Sequence, residues 1–125
     1  MLACELAQHA EDSLAGVECA IAAARATLNS PPQPACECKH CSLEPALDRI
    51  AGFVMQADSA TRPKKCKRNL GKARRAAKAL SARVASLARS RCLAPADRVA
   101  RLGAEVVDLA RRSRALFRSR FCARK

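Results

Sequence analysis

The chain contains no tryptophan and no tyrosine, and three phenylalanines are its only aromatic residues. Its core must therefore be built from aliphatic side chains, many of them alanine, which bury little area each and make a thin core. The same lack removes the interleaved aromatic platforms on which single-stranded nucleic acid stacks. Four glycines and six prolines in 125 residues leave few internal breaks. No segment alternates apolar and polar residues with β-branched enrichment, so strands are not expected, whereas apolar residues recur at helical spacing throughout. No apolar run approaches the roughly 18 residues of a membrane-spanning helix. A Gly-rich phosphate loop and a G-x-S-x-G elbow are missing, the only histidines are His9 and His40, and enzymes are the least supported class.

Acidic residues are scarce in one half only. Residues 1–60 carry 3 basic and 8 acidic side chains, a balance of −5, whereas residues 61–125 carry 21 and 3, a balance of +18. A segment with that excess repels itself and attracts polyanions. The plainer alternative is a solvated helix surface that uses the acidic first half as its counter-charge.

What the second half has in abundance is a seven-residue repeat. Leu70, Ala77 and Val84 occupy one core position, and Cys66, Ala73, Leu80 and Leu87 the other. The repeat resumes with Val99, Val106 and Ser113, and with Leu102, Leu109 and Leu116. Between them, Pro95 suits a first helical turn and Asp97 favours the positive end of a helix dipole. An antiparallel hairpin turning about Leu93 pairs Leu70 with Leu116, Ala77 with Leu109, Leu80 with Val106, Val84 with Leu102 and Leu87 with Val99, and brings Cys66 beside Cys122. Because this register closes within one chain, a coiled-coil dimer is not required, although a monomer or a homodimer fits.

The fold class read from this pattern is all-α, an antiparallel four-helix bundle built around the long C-terminal helical hairpin, in one domain over 1–125. Helices are expected over 2–28, 43–57, 63–91 and 95–122, with a Pro- and Cys-rich loop over 29–42. Gly16 inside the first helix marks close packing, and Ser42 is a candidate cap for the second. The last helix carries a second apolar row, Gly103, Val107, Ala110, Phe117 and Phe121, interrupted by Arg114, which the first two helices are expected to cover. Arg83 and Glu105 are expected to face each other along the hairpin seam.

Eight cysteines in a small chain suggest a disulfide framework. Cys66 with Cys122 is the expected pair at the open end of the hairpin. Pairing among Cys4, Cys19, Cys36, Cys38, Cys41 and Cys92 is left open, though the partner of Cys92, at the closed end, should come from the first helix or the Cys36–Cys41 loop. The alternative chemistry is a zinc or copper site formed by Cys36, Cys38, His40 and Cys41, since thiolates and imidazole are the ligands both metals favour; no second ligand pair of matching spacing follows. Otherwise no cofactor is expected.

The candidate binding surface comprises Lys64, Lys65, Lys67, Arg68, Lys72, Arg74, Arg75 and Lys78 on one arm of the hairpin and Arg111, Arg112, Arg114, Arg118 and Arg120 on the other. Antiparallel pairing merges these into one basic end able to hold an anionic partner: an acidic protein, nucleic acid backbone, sulfated glycan or anionic lipid. Disulfides favour a secreted or periplasmic setting with the leader absent from this chain, and reduced thiols a cytoplasmic or nuclear one. If the whole cluster is accessible, charge reversal at Arg74, Arg75, Arg112 and Arg118 abolishes polyanion retention without unfolding the chain.

Overall fold

The computed structural model describes residues 2–30, 35–36, 41 and 43–125. Its elements are α1 (Ala3–Leu6), α2 (Leu14–Asn29), β1 (Ala35–Cys36), α3 (Leu43–Ser59), α4 (Pro63–Arg89), β2 (Leu93–Ala94), α5 (Ala96–Arg118) and a final 3-10 turn, Cys122–Arg124. Ser13 caps α2 by accepting the Gly16 N–H on its hydroxyl at 2.9 Å, and Pro63 opens α4 at a position whose N–H would have no helical acceptor. Asp97 lies in the first turn of α5 and Arg118 in its last, each matched to the helix dipole. The candidate cap Ser42 lies outside the described residues.

The long helices form an antiparallel ring. α3 packs on α4, α4 on α5 and α5 on α2, while a lighter α2–α3 contact closes the bundle. Along the hairpin, Leu70, Ala77, Leu80, Val84, Val99, Leu102, Val106, Leu109 and Leu116 are all buried, and Leu87 is half-buried. Both arms of the predicted seam therefore face the core. Val17, Ala20, Ile21 and Ala24 from α2 and Leu47, Ile50, Val54 and Ala57 from α3 complete it. None of these is an aromatic residue, as the composition required.

The first expected helix is not continuous. It breaks after Leu6 into a turn in which Gln8 takes a positive φ of 57°, and it restarts at Leu14. A disulfide explains the need for the break. Cys4 and Cys19 are bonded with their Cα atoms 5.8 Å apart, whereas 15 residues of continuous helix would separate them by about 22 Å. The chain must fold back for the bond to form.

Three further expectations are corrected. The first part of the second apolar row of α5 is not covered by the first two helices: Val107 is 55 % exposed and an added Cβ at Gly103 would meet nothing within 4 Å, while Ala110, Phe117 and Phe121 are half-buried against the core. α2 instead docks on a face of α5 that carries Glu105, Asp108 and Arg112, all buried. Glu105 does not face Arg83; it accepts a hydrogen bond from the Thr27 hydroxyl of α2, while Arg83 lines a groove between α3 and α4. Finally, a small antiparallel ladder exists where no strand was expected, with Ala35 opposite Ala94 and Cys36 opposite Leu93. It ties the 29–42 loop to the closed end of the hairpin, next to Cys92.

Burial raises the Glu105 carboxyl above the ordinary carboxylate value, against the lowering effects of the Thr27 hydrogen bond and of the Arg101 and Arg98 charges. A raised folded-state value means that the protonated form suits the fold better than the ionised one. Its contribution is therefore fully present below the unfolded-state value and is lost as pH rises through the folded-state value. Glu105→Gln keeps an acceptor for Thr27 and removes the titration. Relative to wild type, the variant should gain stability as pH rises above the ordinary carboxylate value in paired urea titrations; a pH-independent difference would show that Glu105 does not supply this slope.

Candidate polyanion interface at the open end of the hairpin

The N-terminus of α4 and the C-terminus of α5 meet at a covalent bond. Cys66 and Cys122, both buried, form a disulfide with Cα atoms 5.5 Å apart and a sequence separation of 56. Lys64, Lys65, Lys67 and Arg68 on one side and Arg114, Arg118 and Arg120 on the other are thereby brought to one end of the bundle, and all seven are exposed. Arg62 and Arg124, exposed residues flanking α4 and following Cys122, join them. Sequence reasoning passed over these two, although their distance of a few residues from the expected cystine was signal enough.

Burial and pairing divide the thirteen candidate side chains. Lys64, Lys65, Arg68, Arg75, Lys78, Arg114, Arg118 and Arg120 are exposed and free of ion pairs to described residues. Lys67 donates to the Phe117 carbonyl and sits 4.3 Å from the centroid of that ring, so it serves the negative end of α5. Lys72 lies 5.8 Å from the centroid of Phe53. Arg74 is half-buried, 4.9 Å from the Phe117 ring, and Gly71 admits that ring, since a Cβ there would lie 3.3 Å from Phe117 Cε2. Arg111 is exposed but pairs with Glu11 at 2.9 Å, Glu5 at 3.4 Å and Asp108.

Arg112 does not belong to the surface at all. It is 2 % exposed. Its Nε donates to Asp108 Oδ2 at 2.9 Å, and its Nη1 donates to the carbonyls of His9 and Ala10, each at 3.2 Å. The guanidinium thus fastens the segment before α2 to α5, four residues beyond the carboxylate that neutralises it. Gly16 completes the joint. A Cβ there would lie 2.5 Å from the Ala10 carbonyl oxygen and 2.7 Å from Arg112 Nη1, so the close packing inferred from this glycine is that of backbone against an arginine. Charge reversal at Arg112 would break the fold, and the expectation that it leaves the chain folded is withdrawn.

The cysteine cluster bears on the metal alternative. Cys36 and Cys41 form a disulfide, which takes two of the four proposed ligands out of thiolate chemistry; Cys38 and His40 lie outside the described residues. Among the described residues no group of three or more metal-ligating side chains comes together. Cys92 is also disulfide-bonded, at the end of the hairpin opposite the Cys66–Cys122 bridge.

No family model, no curated protein and no solved structure matches this chain. What the basic end holds must be inferred from its chemistry.

Truncating Arg112 leaves the buried Asp108 carboxylate with the exposed Arg111 as its remaining partner and strips the His9 and Ala10 carbonyls of their donor, and breaking a buried pair of this kind costs about 3–5 kcal/mol. Arg112→Ala should therefore lose stability on that scale in denaturant unfolding, whereas Arg118→Ala, at an exposed position, should stay within about 0.5 kcal/mol of wild type. Equal small losses would show that Arg112 does not hold α2 to α5.

Proposed function

We propose that this disulfide-stabilised helical protein is a non-enzymatic binding protein, and that the open end of its α4–α5 hairpin holds an extracellular or periplasmic polyanion, with a sulfated glycan as the best chemical fit. The juxtaposition of the two cation clusters across Cys66–Cys122 carries this reading. Residues from both helices contribute, and the cluster has more exposed cations than carboxylates to neutralise them. Asp12 shares a groove with Arg120 and Arg124 without closing an ion pair to either.

Two considerations select the ligand class. Guanidinium groups match sulfate and phosphate oxygens in bidentate fashion, and Arg62, Arg68, Arg114, Arg118, Arg120 and Arg124 supply most of the exposed charge here. The disulfides are compatible with an oxidising compartment, where sulfated and other anionic surface polymers are met more often than nucleic acid. No helix among the described residues is long and apolar enough to cross a membrane, so attachment to an anionic surface would rest on these side chains.

Elution from immobilised heparin tests the assignment. Arg68→Glu/Arg118→Glu should elute at much lower salt than wild type with unchanged helical circular dichroism, because neutralised sulfates contribute directly to the salt dependence. Arg89→Glu/Arg101→Glu, an equal charge change away from the open end, should shift elution only slightly. Equal shifts would mean a uniformly solvated basic surface, and preferential competition by duplex DNA would replace the glycan with nucleic acid.

A further inference from the structure

A second cationic site lies away from the open end, in a groove of about 530 Å³ between α3 and α4. Phe53 and Leu80 lie along it, together with alanines of both helices, and Arg49, Lys72, Arg75 and Arg83 contribute its charges. Among the described residues no carboxylate lines it; Arg83 has a partner of its own, so the charges on offer are those of Arg49, Lys72 and Arg75. The groove exists because the sequence places alanine where larger side chains would fill the space between the two helices. Ala79 lines it and is itself exposed.

We propose that this groove binds a single-chain organic anion, a carboxylate, sulfate or phosphate carried on a medium-length apolar body. The volume falls in the range of small-molecule sites, and the combination of apolar lining with a few placed charges is their usual chemistry. Like charges gathered around an apolar hollow are complementary to one negative head with a tail. A polyanion would match the cations but gain nothing from Phe53, Leu80 and the alanines. Between Ala46 and Phe53, both lining residues, α3 advances about 10 Å, long enough to seat several methylene groups, each worth a factor of about four in affinity when buried. Lys72 already stands over the Phe53 ring at 5.8 Å, and an anion beside that ring would keep the ammonium paired while its tail lay on the ring face. The groove takes Lys72 and Arg75 from the set of cations considered above but none of the seven that meet at the open end of the hairpin.

Decanoate at submicellar concentration is the probe, with acetate as head group alone and decanol as tail alone. Calorimetry should show decanoate binding at least about tenfold more tightly than either, with amide and side-chain NMR shifts centred on Phe53, Ala76 and Ala79. Ala79→Leu, which fills the groove from an exposed position and leaves the core untouched, should lose at least about tenfold in decanoate affinity while keeping heparin retention. Arg49→Glu/Arg75→Glu should lose a similar amount. Arg118→Glu/Arg120→Glu should bind decanoate as wild type does. The proposal is overturned if decanoate binds no better than acetate, if its shifts map elsewhere, if the remote pair loses as much as the groove pair, or if only decanoate micelles or anionic vesicles bind, which would make the surface a membrane contact.

Discussion

The Cys66–Cys122 bond holds together the open ends of the two hairpin arms that their own charge drives apart. Cations crowd both sides of this junction, and a second half with 21 basic and 3 acidic side chains has few internal partners to offer them. In the chain-entropy account, closing a loop of 56 residues destabilises the unfolded state by about 4 kcal/mol, a large fraction of the stability of a typical small domain. The bond fixes the register of α4 against α5 at the point where repulsion would fray it. The same bond therefore makes one surface of two clusters. Lys67 adds to this by donating to the Phe117 carbonyl near the end of α5, and at the opposite end the Ala35–Cys36 ladder and the bonded Cys92 restrain the turn.

The rest of the bundle is arranged around acidic groups that the basic half cannot spare. Its three carboxylates each have a task. Asp97 stands at the positive end of α5, Glu105 receives Thr27, and Asp108 neutralises Arg112. The last two lie on the face that α2 covers, so this helix docks through buried polar contacts as well as through its aliphatic residues. Buried pairs of this kind do little for net stability compared with apolar packing, yet losing one partner is costly. They consequently favour one placement of α2 over others that would bury its small, alanine-rich face equally well. From the acidic half, Glu5 and Glu11 reach Arg111, so among the described residues internal counter-charge does operate at the margin of the basic end.

The hairpin was legible because two independent signals, the aliphatic repeat and the position of Cys66 against Cys122, agree on one register. The break between Leu6 and Leu14 was not, because Ala7, Ala10 and the residues beside them favour helix locally and no proline marks the stop. What breaks the helix is tertiary: the Cys4–Cys19 bond and the grip of Arg112 on the His9 and Ala10 carbonyls. Arg112 was misplaced for a related reason. Counting basic residues along a helix treats each as solvated, and only its spacing of four from Asp108, one of the few acids in that half, pointed inward. The Glu105 face was missed because aliphatic periodicity led to Val107 and Gly103, which remain uncovered. The α3–α4 groove leaves no mark in a linear reading, since it arises from alanines on two helices that only packing brings together.

Disulfide mapping of the native protein tests whether Cys66 and Cys122 join the two hairpin arms. Free thiols would be alkylated under denaturing conditions without reductant, and the chain then cleaved at its abundant Lys and Arg residues. No cysteine should be alkylated, and Cys66 should be recovered in a linked peptide with Cys122 and Cys4 with Cys19. Alkylation of all eight cysteines, or Cys66 joined to any other partner, would contradict it, because the two halves of the basic surface would then lack the bond that holds them together.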